Sequence, residues 1–266
     1  MPASFTFSKY EGAGNDFILI DNREKVISDL DKEWVQRLAH RQRGVGADGI
    51  IFLENSLCAD ARMRIFNSDG SQPALCGNGL RCLMHFLHRL KGAKKRYQIE
   101  TDREIIEGMV DGESVGFWMR GARAFHNAVK LKTSYGDQLV WRADVCVPHA
   151  VIFVSDLSGV PVQEMGREVR LHSDFQPEGV NVNFAERIAE QCYAIRTYER
   201  EVEGETLSCG TGAIALALCA MHKGEKEIEI LPKSGERLFC TKEGDRLFAK
   251  GPVRLVFEGE YFNLSP

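Results

Sequence analysis

The sequence lacks the features that mark several functional classes. None of its eight cysteines stands in Cys-x-x-Cys spacing with another, so no zinc ribbon or vicinal redox pair is spelled out and no metal is expected. Basic residues are outnumbered, 34 Lys and Arg against 38 Asp and Glu. That net charge of −4 argues against nucleic acid as the main partner, because a phosphate backbone needs a basic face. The longest apolar run, Ala213 to Met221, falls well short of the roughly 20 residues that span a bilayer. Met1 to Tyr10 lack the charged-then-apolar layout of a signal peptide. A cytoplasmic protein with no membrane or nucleic-acid partner is expected. No phosphate cradle accompanies a candidate Schiff-base lysine: Lys9, Lys25 and Lys130 read as ordinary surface residues, so no pyridoxal phosphate or other cofactor is expected.

What the chain does have is a repeat. Met63-Arg-Ile-Phe66 leads through a polar turn to Leu75-Cys-Gly-Asn-Gly79 and an apolar helix. Ile195-Arg-Thr-Tyr198 leads through a similar turn to Ser208-Cys-Gly-Thr-Gly212 and a second apolar helix. The two cysteines are 209 − 76 = 133 positions apart, half of the 266 residues. Downstream, the alternation of Gln98–Val110 resembles that of Glu227–Phe239, and upstream Asn15–Ile20 echoes His149–Val154. Four echoes in one order indicate an ancestral duplication.

Each half offers short alternating strands, such as Phe17–Ile20, Gly49–Leu53 and Ser114–Met119 in the first and Val151–Val154, Tyr193–Tyr198 and Glu227–Ile230 in the second. Asp29 or Asp31 is placed to cap a helix running to about Gln42. The helix after Cys76 is apolar at 80, 83, 84, 87 and 90, widened by Phe86. The one after Cys209 is apolar almost all round and should lie buried. The expected fold is α+β: two pseudo-symmetric domains, each a mixed sheet wrapped around one central helix, with the active site in the cleft between them. The halves are set at residues 1–120 and 121–253.

Cys76 and Cys209 both open a helix from a Cys-Gly-x-Gly turn. Glycines let the backbone approach a ligand closely, and the first free N–H groups of the helix form an anion site. The same positive helix end favours thiolate over thiol. Of the other cysteines, Cys58, Cys146, Cys192, Cys219 and Cys240 are expected to be small buried hydrophobes. Two such thiols related by duplication can flank one carbon, and inverting a stereocentre needs that arrangement: one group removes a proton and another delivers one to the opposite face. Without a cofactor as electron sink, the helix N–H dipoles would stabilise charge moving onto an α-carboxylate.

These residues sit within a longer series of motifs: Tyr10-Glu-Gly-Ala-Gly-Asn-Asp-Phe17, Gly44-Val-Gly-Ala-Asp-Gly49, Asn67-Ser-Asp-Gly-Ser71, Cys76-Gly-Asn-Gly-Leu-Arg-Cys82, Pro148-His149, Asn181-Val-Asn-Phe184, Tyr198-Glu-Arg200 and Cys209-Gly-Thr-Gly212. In this order they resemble the signatures of the diaminopimelate epimerases, over about residues 9 to 259. The resemblance implies a pyridoxal-independent isomerase of lysine and peptidoglycan-precursor biosynthesis that interconverts LL- and meso-diaminopimelate. It implies Cys76 and Cys209 as the base and acid pair, with Asn15, Asn67 and Asn181 hydrogen-bonding the amino-acid substrate. Glu199 and Arg200 would meet the distal end of the substrate, and Gly77, Asn78, Gly210 and Thr211 its α-carboxylate through backbone N–H groups. His149 would stand near Glu199 and the cleft, and a C-terminal strand in 254–266 would return to the first half. A homodimer is compatible with all of this, and the oligomeric state is not legible.

Two positions depart from the family pattern. Cys146-Val147 replaces the usual Gly-Asn before Pro148-His149, and Glu201 replaces the usual Gly after Arg200. Three alternatives stay open: a cofactor-independent racemase of another amino acid with a glutamate- or proline-like substrate, a phenazine-type isomerase that shares the fold without the cysteine pair, and a redox protein in which Cys76 and Cys209 form a disulfide.

Overall fold

Between Asn15 and Asp21 every residue from Phe17 to Ile20 is buried, which requires a strand covered on both faces rather than one lying on a solvated sheet. Covered strands of this kind form the centre of both halves. The computed structural model describes residues 2–28, 31–73, 75–92, 94–124, 127–222 and 224–263. It divides into two compact units, Met1–Phe117 with Gly251–Pro266, and Trp118–Lys250.

The first unit runs β1 (Ser4–Gly12), β2 (Asn15–Asp21), α1 (Lys32–Ala39), β3 (Gly49–Glu54), β4 (Ala61–Asn67), α2 (Gly77–Lys91), β5 (Arg96–Glu100), β6 (Ile105–Asp111) and β7 (Ser114–Met119). The second contains β8 (Arg123–Ala124), β9 (Val129–Thr133), β10 (Gly136–Asp144), β11 (Pro148–Val154), α3 (Val162–Arg170), β12 (Asn181–Ala189), β13 (Cys192–Glu199), β14 (Gly204–Thr206), α4 (Gly210–His222), β15 (Glu227–Pro232), β16 (Leu238–Glu243) and β17 (Arg246–Pro252). The last strand, β18 (Arg254–Phe262), pairs antiparallel with β1.

The duplication is written in the pairing. From β1 onward the first sheet reads β1–β2 antiparallel, β2–β3 parallel, β3–β4 antiparallel, β4–β5 parallel, then β5–β6 and β6–β7 antiparallel. The second repeats those six senses in β10–β11, β11–β12, β12–β13, β13–β15, β15–β16 and β16–β17. The strand residues that face the covering helices keep one offset: 152 − 20 = 132 for Ile152 and Ile20, 182 − 50 = 132 for Val182 and Ile50, and 184 − 52 = 132 for Phe184 and Phe52, while the central helices start 210 − 77 = 133 apart. The upstream echo expected between Asn15 and His149 is therefore two residues out. Phe17 is the counterpart of His149, and a shift of two leaves each face of the strand unchanged.

Each sheet curves around its central helix. α2 packs on β1 to β4 and β6, and α4 on β8, β10 to β12, β15 and β16. A shorter helix covers the opposite face. Trp34, Val35 and Leu38 of α1 close over Ile18, Ile20, Ile50 and Phe52, and Val162, Met165 and Val169 of α3 close over Ile152, Val182, Phe184 and Tyr198. Every residue of α4 from Gly212 to Ala217 is buried, in keeping with its apolar circumference. No helix among the described residues is long and apolar enough to cross a membrane.

Some local expectations need correction. Asp31 caps α1, its carboxylate accepting from Trp34 N–H at 2.6 Å, and Asp29 lies outside the described residues. α1 stops at Ala39 rather than near Gln42, because Val45 and Ala47 N–H return to the Leu38 and Ala39 carbonyls and satisfy the helix end. Leu90 is 45% exposed and does not extend the buried face of α2. Cys58 is exposed and Cys146 partly so. Lys9 is a buried residue, its ammonium 2.7 Å from Asp16. The returning strand begins at Arg254 and ends at Phe262, and Leu264 lies outside the described residues.

Candidate functional site

Cys76 is the residue before α2, held at φ −125° and ψ 110°, and its sulfur accepts from Gly79 N–H at 3.4 Å. Cys209 stands at the same place before α4: Gly212 N–H reaches its sulfur at 3.3 Å, and Ala213 N–H bonds its carbonyl at 2.9 Å. In each unit a sulfur thus does what a serine or aspartate oxygen does at a helix start. An acceptor sulfur beside a helix N-terminus is stabilised as the thiolate. The Cys209 sulfur also lies 3.4 Å from the Thr211 hydroxyl.

In the first unit Asn78 and Asn15 are bonded to each other. The Asn78 amide N–H meets Asn15 Oδ1 at 2.5 Å, and Asn15 Nδ2 donates to Asp48 Oδ2 at 3.1 Å. Arg81, one turn into α2 and 2% exposed, donates to Asn78 Oδ1 at 2.6 Å. Arg41 bridges Asp16 and Asp48 with 2.7 Å contacts to each. Burial would raise the Asp16 carboxyl, but hydrogen bonds from Arg41 and Lys9 outweigh it and hold the group well below the usual carboxylate range. Asn67 ends β4 in a tight turn, donating to the Ser71 hydroxyl at 2.9 Å.

The second unit gathers His149, Asn181, Glu199 and Arg200. His149 and Asn181 are register partners on the parallel strands β11 and β12, and Arg200 N–H donates to Asn181 Oδ1 at 2.9 Å. Glu199 accepts from the Thr206 hydroxyl at 2.6 Å. Arg200 spans the Glu178 carbonyl and the Glu201 carboxylate, at 3.1 and 3.4 Å. Burial, with the nearby Arg200 charge, pushes His149 down to about 3, so its ring is neutral at physiological pH.

The tautomer of that ring follows from Asn183, which is wholly buried. The Ala150 carbonyl can only accept, so Asn183 must turn its Nδ2 toward it (2.9 Å), and the same Nδ2 faces His149 Nδ1 at 3.2 Å. The Thr197 hydroxyl then donates to Asn183 Oδ1 at 2.9 Å. His149 Nδ1 is an acceptor and the ring proton lies on Nε2, an atom with no hydrogen-bond partner among the described residues.

Asp16, Asp48, Arg81 and Asn183 were not singled out from the sequence. The duplication contains a signal for two of them, since Asp16 and Asp48 stand one residue before Phe17 and Gly49, the counterparts of His149 and Asn181. A surface groove of about 570 Å³ beside Cys58, Asp60, Lys94 and Tyr97 holds none of the expected site residues. Its Asp60 is engaged by Gln98 N–H and by Lys94.

Comparison with known proteins follows the same lines. The family model described as diaminopimelate epimerase matches residues 7–123 and 142–256. A diaminopimelate epimerase of Hydrogenobaculum sp. (strain Y04AAS1) is 39% identical over 267 residues, covering 95% of this chain and 96% of its own. That of Archaeoglobus fulgidus is 38% identical over 270 residues, covering 95% of each. Among solved structures, a hydroxyproline epimerase from Agrobacterium vitis superposes with a TM-score of 0.72 at 14% identity, covering 99% of this chain and 94% of that one. A phenazine biosynthesis protein of the PhzF family from Bacillus anthracis gives 0.71 at 16% identity, covering 98% and 100%. At such identities the likeness is one of fold.

Proposed function

The chain belongs to the diaminopimelate epimerase family, and from that premise we propose that it interconverts LL- and meso-diaminopimelate by thiolate and thiol proton transfer at the α-carbon. The observation that carries the mechanism is the repeated one: in both units a cysteine sulfur caps the helix and takes the N–H of the third residue on. One thiolate removes the α-proton and becomes a thiol. The electron pair delocalises into the α-carboxylate, which the backbone N–H groups of Gly77, Asn78, Gly210 and Thr211 are suited to hold. The other thiol protonates the opposite face and becomes the thiolate. The proton count is unchanged, and the two sulfurs exchange roles when the other isomer is bound.

The neutral substrate-side groups fit this chemistry. Asn15, Asn67 and Asn181 offer amide hydrogen bonds without competing for the proton, and Glu199 with Arg200 pairs an anion and a cation against the distal ammonium and carboxylate. His149, with its proton on Nε2, is a hydrogen-bond donor in this reading. The experiment is proton NMR of LL-diaminopimelate with the protein in deuterated water. Inversion with uptake of one α-deuterium and no added cofactor supports the proposal; inversion without deuterium uptake, or no inversion, overturns it.

A further inference from the structure

We propose that Arg81 and Asp48 are positioning residues that fix which atoms Asn15 and Asn78 can turn toward the substrate. The inference rests on the reading above, in which those two asparagines meet the substrate, and adds the groups that orient them.

The argument is one of hydrogen-bond polarity. An amide side chain can flip, exchanging its carbonyl for its NH₂ at little cost, unless its neighbours forbid it. A guanidinium only donates and an ionised carboxylate only accepts. Arg81 stands at one end of the series and Asp48 at the other. Between them only one arrangement places a donor against an acceptor at every step: Arg81 N–H to Asn78 Oδ1, Asn78 N–H to Asn15 Oδ1, Asn15 N–H to Asp48 Oδ2. Flipping either asparagine sets two acceptors or two donors face to face. Asn78 and Arg81 are 1% and 2% exposed, so water cannot readily repair such a mismatch. Arg41 and the Asp16 N–H keep the Asp48 carboxylate in place, at 2.7 and 3.3 Å.

With both ends fixed, Asn15 keeps one Nδ2 hydrogen and one Oδ1 lone pair for a ligand, at defined positions. Asn78 keeps its backbone N–H at the start of α2. Losing the polarity of the series lets Asn15 offer an acceptor where a donor is required. Because this neutral hydrogen bond takes no part in the proton transfer, it should be similar in ground and transition states and appear in KM.

The test is steady-state kinetics on purified full-length variants, with circular dichroism and a melting curve for each. Arg81→Met should raise KM for diaminopimelate about tenfold and leave kcat within about threefold. Arg81→Lys, which still only donates, should return KM to within about threefold of wild type. Asp48→Asn, whose amide both donates and accepts, should raise KM about threefold. It acts at an end whose side chain is 41% exposed, so it reads the same series should Arg81→Met not fold. The double variant should be no worse than the weaker single one, because both break one connected unit. Purely structural roles would lower the melting temperature, leave KM unchanged and make the two effects multiply. Unchanged KM in Arg81→Met and Asp48→Asn, or multiplicative effects, would overturn the proposal. Asn15→Ala separates the two readings: a raised KM there with an unchanged one in the positioning variants defeats only the relay, whereas an unchanged KM in Asn15→Ala defeats the substrate contact itself.

Discussion

Where the second unit opens a parallel strand pair with His149 beside Asn181, the first opens its own with Phe17 beside Gly49 and carries Asp16 and Asp48 one residue ahead of them. One scaffold has thus been given two electrostatic solutions. In the first unit the pair is ionised and clamped by Arg41 and Lys9. In the second it is neutral, with His149 depressed to about 3 and Asn183 holding its tautomer. What the duplication preserves is the helix start with its sulfur; what it varies is how the floor beneath that start is made rigid. A charged clamp suits a position that still meets solvent, where Asp48 is 41% exposed. A neutral network suits His149, at 1% exposure, where an unpaired charge would be costly.

If the two halves share the chemistry equally, neither sulfur is dispensable. Cys76→Ala and Cys209→Ala should each lower kcat/KM for diaminopimelate by at least about 100-fold, since removing a general acid or base costs about 10² to 10⁴, while circular dichroism stays native. Retention of a tenth of the activity in one variant only would break the equivalence and leave the other half as the sole proton-transfer site.

The next largest contrast lies three residues past each cysteine. A Cβ on Gly79 would come 2.7 Å from the Ile51 δ-methyl, with Ile65 and Met63 methyls at 3.4 Å. These are ends of flexible side chains, and alanine recovers up to about 1 kcal/mol of helix propensity, so Gly79→Ala should change stability by less than about 1 kcal/mol. A Cβ on Gly212 would come 2.3 Å from Asn183 Oδ1, an atom bound by Thr197 inside the neutral network. Moving it leaves buried polar groups unsatisfied, and Gly212→Ala should cost about 2 kcal/mol. Urea unfolding of both variants checks the difference, and equal losses would mean that the network of the second unit yields as readily as a methyl group.

Much of this organisation was readable before any coordinates. The paired turns, the central helices and most strand segments followed from alternation and spacing, because burial imposes them directly on the residue pattern. The misses have separate physical origins. β10 was hidden because its first residues are polar or glycine, with Gly136 and Asp137 exposed, leaving only Val140 and Ala143 fully buried in the strand. α3 has its apolar residues at 162, 165 and 169, a helical spacing. Gly166 interrupts the pattern, and it is there because Tyr198 packs so closely that a Cβ would lie 2.5 Å from that side chain. Asp16, Asp48 and Arg81 were overlooked because charged residues next to glycines read as turn chemistry. Their significance lies in a network whose central links, Asn15 to Asp48 and Asn78 to Asn15, join residues 33 and 63 apart along the chain.

Acid should separate the halves in sequence. His149 has a folded value near 3 against an ordinary value near 6.5, so the unfolded chain binds its proton first. The stabilisation is complete above about pH 6.5 and is lost as pH falls from there toward 3, by at most about 1.4 kcal/mol per pH unit. Asp16 is also depressed, but from about 3.8, so its contribution persists until pH falls below about 4. Amide exchange in β12 should therefore accelerate between pH 6.5 and 5, relative to the intrinsic rate, before that in β3 does. Replacing His149 with Gln should remove the early slope. A variant as acid-sensitive as wild type in that window would show that His149 does not set it.

The smallest expected effect concerns the one charge the second unit adds at its substrate end. Glu201 stands where relatives are expected to carry glycine, 62% exposed and 3.4 Å from the Arg200 guanidinium. Arg200 is the group assigned to the distal carboxylate of the substrate, so Glu201 competes for the same cation. An exposed ion pair of this kind is worth about 0 to 1 kcal/mol and is screened by salt. Glu201→Gly should accordingly lower KM for diaminopimelate by no more than about fivefold at low ionic strength, with kcat unchanged, and the gain should fade at about 0.5 M salt. The Arg41 contact with Asp48 in the first unit lies outside the reach of such a test because it anchors the asparagine relay. A KM that does not move at low salt would place the distal carboxylate away from Arg200. A KM that falls equally at low and high salt would mean that Glu201 acts by filling space, not by its charge.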